Sequence, residues 1–97
     1  MVRKIIWTKK AELIFQEILE FYFKRNGNKI YSATIKSDID KALSLISKHP
    51  YIGMKVENKT TRILINGNYK IFYEIESDKI IIMLIWDSRQ NSNNLKI

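Results

Sequence analysis

The chain has no cysteine, one histidine, one proline and three glycines among its 97 residues. Without cysteine there are no disulfides and no thiolate metal centre, and a lone His49 cannot assemble a transition-metal site. No metal and no cofactor is expected. No apolar run approaches the roughly 20 residues that span a bilayer, and the amino terminus lacks a long apolar segment ending in a small-residue cleavage site. These absences lead to the expectation of a cytoplasmic protein that does not engage membranes. Glycine-rich phosphate loops and the G-x-G-x-x-G pattern are missing too, which removes the common nucleotide-binding classes. Acidic residues are scarce: 10 Asp and Glu stand against 17 Lys and Arg, for a net charge of +7. Such an excess favours polyanions or an acidic protein partner. It also describes an ordinary solubilising surface, since most of the cations are lysines.

What is present is a globular composition, 45% hydrophobic and 28% charged, of a length suited to one domain over residues 1–97. Asn91–Ile97 reads as a loose tail. Three strands follow one another at Thr60–Asn66, Tyr69–Glu76 and Lys79–Asp87. Asn66-Gly67-Asn68 predicts a type I′ hairpin turn between the first two. Ser77-Asp78 is short enough to make the next pair antiparallel as well. The run Ile80-Ile81-Ile82-Met83-Leu84-Ile85-Trp86 has no alternation, as in a strand covered on both faces. In the middle strand Tyr69, Ile71, Tyr73 and Ile75 share one face, and Lys70, Phe72, Glu74 and Glu76 the other.

Upstream, Val2–Trp7 reads as a short strand, followed by Thr8 as a helix N-cap. Ala11, Ile14, Phe15, Ile18, Phe21 and Tyr22 form the apolar stripe of a helix from Lys9 to Arg25, ended by Gly27. Tyr31, Ile35, Ile39, Ala42, Leu43 and Ile46 do the same for a helix from Lys29 to Lys48, stopped before Pro50. Joined by about three residues, the two helices make an antiparallel hairpin whose stripes need a sheet face. The fold class is therefore α+β, in the order β-α-α-β-β-β, with a two-helix hairpin on one face of a mainly antiparallel sheet. Tyr51–Lys59 is expected to cross one end of that sheet, with Gly53 at a turn.

The chemistry these residues offer is basic. His49 sits at a helix end, where it serves as a cap rather than a catalyst. Glu74, Glu76 and Asp87 read as solvated or charge-paired carboxylates. Arg62 and Lys70 lie on adjacent strands, Arg89 just beyond the third, and Lys55 and Lys59 add charge nearby. The expectation is that Arg62, Lys70 and Arg89 gather over a surface the helices leave uncovered. Such a patch suits phosphates, since Arg grips with two donors and Lys acts as a point charge.

With this order and these residues in view, the chain resembles the RelE/ParE superfamily of bacterial toxins from type II toxin–antitoxin systems. The resemblance lies in Pro50-Tyr51-Ile52-Gly53, Arg62-Ile63-Leu64-Ile65, Gly67-Asn68-Tyr69-Lys70-Ile71-Phe72-Tyr73-Glu74-Ile75 and the closing Trp86-Asp87-Ser88-Arg89-Gln90-Asn91. It implies a growth-inhibiting toxin held off by a cognate antitoxin, which would carry operator DNA binding, so that this chain meets the operator only indirectly. RelE-like members cut mRNA on the ribosome, and there Lys70, Arg62 and Arg89 would be the catalytic cations. ParE-like members poison DNA gyrase and cut nothing themselves. After Arg89 the chain has neither the Tyr nor the His that RelE-like enzymes usually supply, which tips the reading toward gyrase. In either branch Lys55, Lys59, Arg62, Lys70 and Arg89 are the expected target contacts. A non-toxic RNA- or protein-binding module is the alternative from another class.

Overall fold

The computed structural model describes residues 2–89; the tail expected over Asn91–Ile97 lies outside them. A strand β1 (Lys4–Trp7) leads into helices α1 (Lys9–Asn26) and α2 (Ile30–Lys48). A single 3-10 turn over Pro50–Ile52 follows, then β2 (Met54–Lys55), β3 (Thr61–Asn66), β4 (Tyr69–Ile75) and β5 (Lys79–Asp87). The sheet has five strands in the order β1-β5-β4-β3-β2, with β1 parallel to β5 and every other pair antiparallel.

The helices form where the apolar spacing places them. Thr8 caps α1, its hydroxyl accepting from the Ala11 N–H at 3.1 Å and donating to the Ile82 carbonyl at 3.1 Å. One side chain thus starts the helix and pins it to β5. His49 is the C-cap of α2, its N–H bonded to the Leu45 carbonyl. The buried hydroxyl of Ser47, near that end, donates to the Arg3 carbonyl, and the Arg3 N–H returns a bond to Ser47. The main core lies between hairpin and sheet: Ala11, Phe15, Ile18 and Tyr22 from α1 and Ile35, Ile39, Leu43 and Ile46 from α2 meet Tyr69, Ile71 and Tyr73 of β4.

Two expectations are corrected here. Met54–Lys55 is a fifth strand rather than a plain crossing segment, with Met54 opposite Ile63 and Lys55 opposite Arg62. The β3–β4 hairpin has its two-residue turn, Asn66 pairing with Tyr69, yet only Gly67 takes a positive φ (60°). That is the pattern of a type II′ turn, which needs a left-handed residue at its first central position alone.

The apolar run of β5 is covered on both faces by way of an irregularity. Tyr73 pairs with Ile82 but Phe72 with Leu84, so Met83 is an extra residue on β5. A bulge of this kind reverses which face the following side chains occupy. Ile80 and Ile82 face the helices before it, and Ile85 and Asp87 after it. Leu84 and Trp86 turn to the opposite face, where they join Phe72 in a second buried cluster with Ile14, Ile63 and Met83 against it. Among the described residues no helix is long and apolar enough to cross a membrane.

Candidate functional site: an arginine held by three tyrosines, and separated cations

The bulge delivers Asp87 to the helix side of the sheet, directly across from Tyr69. Asp87 is fully buried and accepts from the Tyr22 hydroxyl at 2.8 Å. Arg89, two residues on, folds back over it. Its Nε donates to Asp87 Oδ1 at 3.1 Å and its Nη2 reaches Oδ2 at 3.3 Å. The same guanidinium donates to the hydroxyls of Tyr31 (2.5 Å) and Tyr69 (2.6 Å). It also lies over the rings of Tyr22, Tyr31 and Tyr69, with Cζ 4.7, 5.6 and 5.5 Å from their centroids. Both helices and the neighbouring strands β4 and β5 therefore supply walls to one cation.

The electrostatics follow from burial and from Asp87. Burial first, then the hydrogen bond to Asp87 and its charge, push the Tyr22 hydroxyl up to about 12. Tyr69 moves the same way, mainly through burial and then the Asp87 charge, with Arg89 opposing. Burial alone would disfavour a charged Arg89, but its bonds to Asp87 and Tyr31 outweigh that and raise its pKa. The cluster is thus a neutralised pair with protonated phenols around it, and Tyr69 is a poor proton acceptor at neutral pH.

A second arrangement sits at the other end of β4. Tyr73 is fully buried; its hydroxyl donates to the Pro50 carbonyl at 2.7 Å and accepts from the Gly53 N–H at 2.8 Å. Burial raises its pKa, partly offset by the Gly53 bond and the Arg62 charge. Arg62, across from Tyr73, donates to the Gly53 carbonyl at 2.8 Å and stacks at 4.9 Å on the exposed ring of Tyr51. Lys55 is the cross-strand neighbour of Arg62.

The expected gathering of Arg62, Lys70 and Arg89 over a helix-free face is not what the structure has. Arg62 and Arg89 both belong to the helix side of the sheet, at opposite ends of β4. Lys70 pairs with Ile65 and Trp86 and projects from the other face, beside Phe72. There it lines a shallow groove of about 180 Å³ with Met54, Ile63, Ile65, Val56 and Lys55. Lys55 and Arg62 are brought together, and Lys59 is exposed in the turn leading to β3. Of the carboxylates, Glu74 accepts from Thr61 and Glu76 lies 3.6 Å from Lys79, while Asp87 is the buried partner described above. Tyr22, Tyr31 and Asp87 were not among the expected site residues, because the two tyrosines fit the apolar stripes of their helices. The signal that could have found them is an Asp closing an apolar strand, two residues before an Arg.

A family model described as "ParE toxin of type II toxin-antitoxin system, parDE" matches residues 5–92. No curated protein matches the chain. Among solved structures, a chain described as "Chromosomal ParDE TA system from P. aeruginosa" superposes with a TM-score of 0.75 at 18% identity, covering 89% of this chain and 96% of that one. At that identity the likeness is one of fold. The family match spans nearly all of the sheet and both helices, and the chain belongs to the ParE toxin family of type II toxin–antitoxin systems.

Proposed function

We propose that this chain arrests growth in the cytoplasm by acting on DNA gyrase without cutting nucleic acid itself, and that a cognate antitoxin of the ParD kind holds it inactive. The observation that carries this reading is the separation of the cations. Cleavage of RNA through its 2′-hydroxyl needs a base, an acid and positive charge converging on one phosphate. Here Lys70 is on the far side of the sheet from Arg62 and Arg89, and Arg89 has most of its donors committed to Asp87 and two tyrosines. An inhibitor that works by binding needs no such convergence. Its contacts can be spread along the molecule, and Lys55, Lys59 and Arg62 at one end with Lys70 on the groove face are the proposed ones.

The groove beside Lys70 is also a fitting place for the antitoxin. Met54 and Ile65 are 72% and 59% exposed there, beside the edge strand β2, which suits an apolar segment laid along the edge. Operator DNA would then be met through the antitoxin. The test is induction of the chain with and without its neighbouring antitoxin, with gyrase supercoiling and gyrase–DNA cleavage complexes assayed on the purified toxin. Growth arrest with gyrase inhibition is expected. Codon-linked mRNA ends in the absence of any effect on gyrase would overturn the reading. They would favour the RelE-like one, for which Lys55, Arg62 and the exposed ring of Tyr51 are the nearest cation–aromatic set.

A further inference from the structure

Arg89 does not spend all its hydrogens inside the cluster. A guanidinium has five N–H groups. Nε donates to Asp87, Nη2 to Asp87 and Tyr69, and Nη1 to Tyr31. Among the described residues one Nη1 hydrogen is left without a partner, and so is the proton of the Tyr31 hydroxyl, which only accepts in its bond with Arg89. Both groups line an open cavity of about 320 Å³ with Tyr22, Arg25 and Asn26. Arg25, in the last turn of α1, is exposed and has no hydrogen-bond or ion-pair partner among the described residues. The cavity thus presents unspent donors from Arg89, Tyr31 and Arg25, while Asp87, the acid below, is fully committed.

We infer that Arg25, Tyr31 and Arg89 form a seat for one carboxylate, carried by an acidic side chain of a protein partner. Charge favours a single anion: Arg25 and Arg89 against Asp87 leave one net positive charge. A nucleic-acid backbone draws its affinity from several phosphates neutralised in series. The surroundings favour protein as well. Phe21 packs edge-on against Tyr22 and is 49% exposed, and Ile30, next to Tyr31, is 76% exposed. An acidic residue flanked by apolar ones complements such a surface. The three tyrosine rings and Asp87 hold Arg89 in place before the partner arrives, so little side-chain freedom remains to be lost. The seat lies at the opposite end of β4 from Arg62 and does not depend on which cellular target the toxin meets.

NMR of the Arg Nε–Hε signals tests this directly. The blocked tripeptide acetyl-Leu-Glu-Leu-amide should shift the Arg25 and Arg89 signals saturably. Acetyl-Leu-Gln-Leu-amide should bind about tenfold more weakly, the usual scale for losing a charge-assisted bond. Arg25→Gln and Tyr31→Phe, in variants with unchanged circular dichroism, should bring the two peptides to parity. Equal affinity of the unaltered protein for both peptides, or no saturable shift with either, would overturn the seat. So would a twelve-base-pair DNA duplex whose salt-dependent binding is lost in both variants, which would assign the same donors to phosphate.

Discussion

Tyr73 and Gly53 show how closely one residue can depend on another's having no side chain. A Cβ on Gly53 would lie 2.5 Å from the Tyr73 hydroxyl and 3.0 Å from the Ile63 carbonyl, and the ring cannot retreat because its hydroxyl bridges Pro50 and Gly53. Gly53→Ala is expected to cost about 1–3 kcal/mol in urea unfolding, as overpacked sites do. Tyr73→Phe removes both bonds and should cost a similar amount by leaving the Gly53 N–H without its partner. At the other end of the strand the residue-scale test is alkaline pH. The Tyr22 pKa rises from 10.0 in the unfolded chain to about 12 among Asp87, Arg89, Tyr31 and Tyr69. The folded state keeps that proton longer, so its contribution is complete below pH 10 and is lost as pH climbs toward 12. The loss is at most about 3 kcal/mol by linkage. Tyr22→Phe should be less stable than the parent at pH 7 but fall less steeply between pH 10 and 12, followed by denaturant unfolding at each pH.

At the scale of elements, the junction of β1, α1 and β5 depends on Thr8. Its hydroxyl satisfies an orphan donor of the helix and meets the Ile82 carbonyl, one residue before the bulge. Thr8→Ala should lower stability by about 1–2 kcal/mol, with Thr8→Ser recovering most of it, measured by thermal and urea unfolding. Both helices and the four longer strands were legible in the sequence because each carries its own period, cap or turn. The two residues of β2 carry neither; their strand character comes wholly from pairing with Ile63 and Arg62. The site was legible in part. A two-residue turn after Asn66 sets Arg62 opposite Tyr73, and alternation along β4 then places Lys70 on the other face, so the separation of the cations could have been read. The cluster around Arg89 was hinted at by Asp87 closing an apolar strand two residues before it, but could not be placed. It needs the extra residue at Met83 to bring Asp87 to the helix side, and nothing in an unbroken apolar run marks where a bulge falls.

At the scale of the whole molecule, the sheet divides the basic side chains into groups that cannot act as one. Arg62 touches Gly53 and Tyr51 on the helix side, and Lys70 lines the groove on the other, with no shared partner between them among the described residues. Side chains that act together on one reacting phosphate give losses far from additive, because removing one already disables the rest. Side chains that bind separately give free-energy losses that add to within about 0.5 kcal/mol. Arg62→Ala, Lys70→Ala and the double variant should therefore form an additive cycle in the toxin concentration that halves gyrase supercoiling. A cell in which the double variant is no weaker than the worse single would instead join the two faces into one working unit, and the binding mode proposed for this toxin would fail with it.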